Sequence, residues 1–153
     1  MAHRIWARVD GGVTITPRHP ALTDAQWATQ LAKLAAAAHL VGATTHDSPG
    51  DHVPPDGMGR RFRDAWRWNG SAVVHDVPTA KRLRMQELYH EARERSGEAP
   101  LNAAKRFAPG WHGLRGALDQ ELDRASRRLE QLTTVADIVA FTPAWPADIP
   151  ENL

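Results

Sequence analysis

The chain has 153 residues, 42% of them apolar, enough to bury the core of one domain or of two small modules, so it is expected to fold in water. Nineteen basic against eighteen acidic side chains leave a net charge of +1, a balance that gives no reason to expect nucleic acid, an anionic membrane or an acidic substrate. The absence of cysteine excludes a disulfide framework, a thiolate nucleophile and a thiolate zinc site.

Residues 4–16, RIWARVDGGVTIT, read as two short strands joined by Asp10-Gly11-Gly12, with Ile5, Ala7 and Val9 alternating against Trp6 and Arg8. Pro17 ends the hairpin. Thr23 and Gln26 then form a capping-box pair, and Leu22 with Trp27 a hydrophobic staple, so a helix is expected over about 24–40. Its stripe of Trp27, Leu31, Leu34, Ala35 and Ala38 requires a packing partner, most simply the sheet, and Gly42 is a natural stop. The longest apolar stretch, 34–41, contains His39 and is too short to cross a bilayer, and no apolar run of signal-peptide length opens the chain. Export and membrane insertion are not expected, which leaves synthesis in the cytoplasm.

From 43 to 59 the breakers Ser48-Pro49-Gly50, Pro54-Pro55 and Asp56-Gly57 predict an irregular surface loop. A tryptophan-bearing hairpin follows, in which Asn69-Gly70 has the composition of a type I′ turn between strands 62–68 and 71–75. Phe62, Trp66 and Trp68 fall on one face of the first strand, and Arg63, Ala65 and Arg67 on the other. Asp76 can cap a charged helix running to about Ser96, with Pro78 in its first turn, a thin apolar seam of Ala80, Leu83, Leu88 and Ala92, and a Glu91–Arg95 pair on its surface. After a proline-containing connection over 98–113, Leu114, Leu118, Leu122, Ala125, Leu129 and Leu132 step by three or four residues, the firmest helical seam in the chain. Asp123 and Arg127 add an i,i+4 pair on its outer face. One further helical turn is expected around 135–140, after which Pro143, Pro146 and Pro150 force an extended tail.

The pattern predicts an α+β protein: a small antiparallel sheet of two hairpins with one packed helix, then an antiparallel helical hairpin. The corresponding modules are 1–77 for the hairpins and helix, 78–134 for the charged helical hairpin and 135–153 for the proline-rich tail.

His46, Asp47, Asp51 and His52 are ligand types used by zinc, iron and manganese, but the spacing is not that of a helical ligand pair, and no metal or other cofactor is expected. A metal-dependent enzyme using the 46–52 loop is the only enzymatic alternative. His75-Asp76 invites a triad with Ser71 or Thr79, yet adjacent residues of a strand face opposite ways, and no nucleophile elbow or phosphate-binding glycine loop is present. Arginines interleaved with Trp66 and Trp68 could track phosphates and stack bases, although Asp64, Glu87, Glu91 and Asp123 neutralise the basic clusters. Nucleic acid is therefore not an expected partner.

The order DGGVTI, then RFRDAWRWNG, then HDVPTAKRLRMQELYHEAR, then a second leucine-rich helix and a closing TPAWPADIP, resembles small tail-fibre assembly and tail-accessory proteins of bacteriophages and prophages. Residues 61–95 and the AWP ending carry the match. The resemblance implies a non-enzymatic virion component of the phage tail, made in the host cytoplasm and acting through interfaces with other tail or tail-fibre proteins, in several copies or as a homo-oligomer. The alternative it leaves open is an assembly chaperone absent from the mature particle. Because Trp and Arg dominate interface energetics, Trp66, Arg67, Trp68, Trp111 and Trp145 are the expected contact residues, with core burial competing for at least half of the tryptophans.

Overall fold

The computed structural model describes residues 3–48, 61–98 and 100–149. The chain divides into two compact units, Met1–Asp76 and Val77–Leu153. The protein is α+β, with five strands and four α-helices among the described residues.

In the first unit, β1 (His3–Ala7) lies between β2 (Val13–Pro17) and β3 (Thr44–Ser48), antiparallel to both. A central strand with both faces covered must place apolar residues on each, and the adjacent Ile5 and Trp6 do so. Ile5 and Val13 pack with Trp66 and Val73, while Trp6 packs with Trp27, Leu31 and Leu40. The sheet thus separates two apolar clusters, one closed by the tryptophan hairpin and the other by α1 (Asp24–Ala35). The α1 capping box is complete: Gln26 N–H donates to Thr23 Oγ1 and Thr23 N–H to Gln26 Oε1. Leu22 joins the cluster around Trp27, as the staple requires.

Five sequence expectations change here. β1 stops at Ala7, so Val9 is 80% exposed instead of extending the inward row. The helix ends at Ala35, and Ala38–Leu40 forms a separate 3₁₀ turn before Gly42, whose φ of 78° closes the segment. Residues 44–48, expected as loop, form β3: Thr44 and Thr45 are β-branched, and an edge strand needs only pairing with β1, not an apolar face. Finally, the hairpin strand β4 is confined to Trp66–Trp68, paired with β5 (Val73–His75), because Phe62 takes a left-handed φ of 55° and Arg63–Ala65 winds into a 3₁₀ turn. The connecting turn is not type I′, since Gly70 alone takes positive φ there. Asn69 Oδ1 instead accepts from the amides of Ser71 and Ala72 and so holds the loop through its side chain.

The second unit is built on α2 (Val77–Arg95) and α3 (Trp111–Gln131). They run antiparallel: Lys81 Nζ near the start of α2 donates to Glu130 O near the end of α3, and Trp111 Nε1 at the start of α3 donates to Ser96 O just past α2. Gly97, at φ 72°, stops α2, with Glu98 N–H returning to Arg93 O and Gly97 N–H to Glu94 O. The expected connection over 98–113 contains a 3₁₀ helix, Pro100–Phe107, and α3 begins three residues earlier than its leucine seam. Leu114, Leu118, Leu122, Ala125 and Leu129 are all buried, as are Ala80, Leu88 and Ala92 of α2. A short α4 (Val135–Ala140), capped by Thr134 Oγ1 on Asp137 N–H, contributes Val135 and Ile138 to burial. Residues 141–149 follow as irregular chain.

Candidate functional site

The buried stripe of α2 is Ala80, Arg84, Leu88 and Ala92, a row at spacings of four, so Arg84 occupies a core position and Leu83 lies beside the row. A buried guanidinium must find acceptors. Its Nη1 donates to Glu87 Oε2 at 2.8 Å and to Glu91 Oε1 at 3.4 Å, and its Nη2 to Phe141 O at 3.0 Å. On α3, Glu121 is buried in the leucine seam and accepts Ala144 N–H on Oε1 at 2.8 Å, with Arg124 3.6 Å from its other oxygen. Glu91 Oε2 accepts Trp145 Nε1–H at 3.0 Å, and the Arg95 guanidinium lies 5.6 Å from the centre of the Trp145 ring. Lys105 Nζ donates to Asp148 Oδ2 at 2.6 Å. The segment 141–149 is therefore a strap held on the helices by a clasp of charged side chains. The expected surface pair Glu91–Arg95 gives way to it, because Glu91 is engaged by Arg84 and Trp145.

The titration of Asp148 is displaced by its place in the clasp. The Lys105 hydrogen bond, assisted by Ile149 N–H, holds its pKa below the usual carboxylate value against the opposing effect of burial.

Trp111 has a similar arrangement. Its Nε1–H is fixed on Ser96 O at 2.7 Å and Arg115 lies over the ring at 5.5 Å, itself paired with Glu98 at 3.2 Å. Both tryptophans remain partly exposed.

In the first unit the hairpin tryptophans separate. Trp66 is only 2% exposed and belongs to the core, which corrects its assignment as a contact residue. Its Nε1–H donates to Nε2 of the cross-strand His75 at 3.1 Å. That same nitrogen lies 3.2 Å from Arg61 O, a contact that only a protonated Nε2 can make as donor, so the two are alternative states of the ring. The Nε2 of His75 is thus engaged by Trp66 within the hairpin. Trp68 is the hairpin tryptophan left partly accessible, stacked on His46 with ring centres 4.6 Å apart. Arg67 turns back onto its own chain, donating to the carbonyls of Asp64 and Trp66.

His46 and Asp47 do not converge. They face opposite sides of β3, with His46 on Trp68 and Asp47 paired with Arg4 of β1. Asp51 and His52 lie outside the described residues, among which no group of three or more His, Cys, Asp or Glu could hold a metal ion. An open depression of about 360 Å³ is lined by Pro78, Lys81, Arg82, Met85, Leu129 and Glu130. No described helix is long and apolar enough to cross a membrane.

Sequence reasoning missed Arg84, Glu91 and Glu121 as site residues, although the signal was present for two of them. Arg84 continues the spacing of four from Ala80 to Leu88, and Glu121 stands three residues after Leu118 and four before Ala125. It also missed Tyr89 and Phe107, which are 54% and 89% exposed. Comparisons of the chain with family models, curated proteins and solved structures give no match.

Proposed function

We propose that this chain is a non-enzymatic structural or tail-fibre-associated protein of a bacteriophage tail, acting in the virion through protein–protein interfaces and present in several copies. The observation that carries the interface reading is the state of Trp111 and Trp145. Each is partly exposed, each has its indole N–H committed to a fixed acceptor, and each lies beneath an arginine. An aromatic anchor immobilised in the free protein loses less side-chain entropy on binding, where ordering a mobile side chain costs about 0.5–1.5 kcal/mol. Arginine and tryptophan are also the residues that most often dominate interface energies. Trp68, partly exposed and stacked on His46, adds an aromatic candidate in the first unit. The phage assignment rests on the resemblance of residues 61–95 and of the AWP ending.

Affinity capture of the tagged chain from phage-infected cells, combined with proteomics of purified particles, tests the proposal. Recovery with tail or tail-fibre proteins and presence in intact particles is the expected result. Capture of a tail-fibre protein with absence from particles would instead establish an assembly chaperone, and a chain found with no tail protein in either preparation would sink the phage reading.

A further inference from the structure

The turn that ends α2 gathers positive charge. Three exposed arginines meet at Gly97-Glu98. Arg115 of α3 lies 3.2 Å from one oxygen of the Glu98 carboxylate, and Arg93 of α2 lies 3.8 Å from the other. Arg106 donates from Nε to Gly97 O at 2.8 Å and from Nη2 to Glu98 O at 2.7 Å, so it is held by carbonyls instead of a carboxylate. Other acids of this unit are committed elsewhere: Asp148 pairs with Lys105, and Glu94 lies 3.2 Å from His90. Among the described residues one carboxylate therefore serves three guanidiniums, and the turn carries more cation than it neutralises. The same corner exposes aromatic surface. Phe107, next to Arg106, is 89% exposed, and Trp111, with Arg115 over its ring, is partly exposed. Phe107 buries almost none of its ring within the chain, and like charges at one turn repel, so the stability of the chain accounts for neither feature.

We propose that this corner, formed by Arg93, Arg106, Phe107, Trp111 and Arg115 around Glu98, docks an acidic segment of a partner protein in which carboxylates flank an apolar side chain. The inference deepens the interface reading of Trp111 and rests on it. Carboxylates suit the corner because a guanidinium presents paired N–H donors in a fork that matches their two oxygens. Arg106 is already fixed by two carbonyls, and Arg115 by Glu98 and the Trp111 ring, so both lose little freedom on binding. An apolar side chain of the partner covers Phe107 and keeps water from the ion pairs beside it. A lipid surface fits less well, since lipid-binding clusters bring about four to eight basic residues together. Nucleic acid also fits less well, because its footprint needs a positive excess that a net charge of +1 does not supply. Glu98 acquires a definite role: in the free chain it holds the place of a partner carboxylate and competes with the segment for Arg93 and Arg115.

The test is fluorescence anisotropy of a labelled peptide, Glu-Asp-Leu-Glu-Asp-Leu-Glu-Asp, titrated with the full-length chain. Its Gln/Asn analogue, a single-stranded thymidine oligonucleotide and phosphatidylserine vesicles serve as comparison probes. Expected is saturable binding of the acidic peptide, weakened about tenfold by Arg106→Gln or Arg115→Gln and weakened by added salt. Phe107→Ala should weaken it about threefold or more through lost apolar contact. Glu98→Gln should tighten it about threefold or more, because the competing carboxylate is gone. A purely structural Glu98 gives the opposite sign or no change. The proposal is overturned by an acidic peptide that does not bind saturably, by equal binding of the Gln/Asn analogue, or by preference for the oligonucleotide or the vesicles. It is equally overturned by a Glu98→Gln chain that keeps its helical circular dichroism and binds no more tightly than wild type. Should an arginine variant lose helical signal, Phe107→Ala and Glu98→Gln decide. A wild type that captures tail proteins yet binds no acidic peptide sinks this inference alone, whereas a wild type that captures none sinks the interface reading beneath it.

Discussion

Replacing Arg84 by methionine isolates what the buried guanidinium does, because methionine keeps an unbranched apolar stem along the α2 stripe and removes only the donors. Three bonds disappear: those to Glu87, Glu91 and Phe141 O. The two ion pairs count for little, since Glu87 and Glu91 are 37% and 40% exposed and rehydrate once released, so each contributes about 0.2–1 kcal/mol. The bond to Phe141 O is different, being made by a charged donor that is 9% exposed, and such bonds contribute roughly 1.5–3 kcal/mol. The loss expected for Arg84→Met is therefore about 2–4 kcal/mol of the stability of the second unit. One term opposes it. Arg84 Nε is buried without a hydrogen-bond partner among the described residues, and its removal relieves that cost.

Urea denaturation followed by helical circular dichroism reads the magnitude, and hydrogen exchange reads the location. The amide of Ala144, bonded to Glu121, should lose protection in the variant, whereas those of Leu118 and Leu122 fall only as far as global stability does. Arg84→Lys should sit between methionine and wild type, since an ammonium keeps the charge but cannot span three acceptors with the geometry of a guanidinium. A methionine variant within about 0.5 kcal/mol of wild type, with strap amides unchanged, would refute the reasoning that Arg84 anchors the strap.

His75→Leu should destabilise the first unit by about 1–3 kcal/mol in urea titrations, because Trp66 Nε1–H is left buried without its acceptor, and His75→Gln, which restores an acceptor oxygen, should recover part of that loss. Asp148 has its pKa lowered in the folded chain, so its contribution is present above the unfolded value of 3.8 and disappears as pH falls through the lower folded value. Asp148→Asn should accordingly weaken strap protection at neutral pH, with the difference from wild type shrinking as pH falls below 3.8, as hydrogen exchange across that range would show, and a difference independent of pH would contradict the assignment. Gly70→Ala introduces no contact within 4 Å, so the whole penalty is the backbone cost of a φ near 102°, about 1–2 kcal/mol in thermal or urea unfolding of the hairpin unit.

The elements most legible in the sequence are those whose local and tertiary requirements coincide. The α3 leucines are buried as their spacing demands, and the α1 capping box forms as its Thr-x-x-Gln pattern demands. Where the two requirements part, the sequence misleads. Residues 44–48 lack any apolar alternation because they occupy a sheet edge whose reward is hydrogen bonding to β1, and that reward leaves no mark on side-chain type. Phe62 lies in the alternating row of a plausible strand, yet the first turn before Trp66 is left-handed there, a conformation no composition rule assigns to phenylalanine. The contact residues divided in the same way. Trp145 reads as an anchor from residue type alone, but its partners Glu91 and Arg95 read as a surface pair until the strap comes between them.

The two units position their tryptophans by different physics, and this bears on how each can respond to a partner. Trp66 is fixed by close packing against Ile5, Val13 and Val73 and by one neutral hydrogen bond, so moving it opens a cavity and strands a donor at once. Trp145 is fixed by Glu91 and by the cation of Arg95, groups that water can replace. Burying the clasp charges carries a desolvation cost that their bonds to the strap must offset. Water solvates the same groups when the strap opens, so the net contribution of each bond is well below its gross strength.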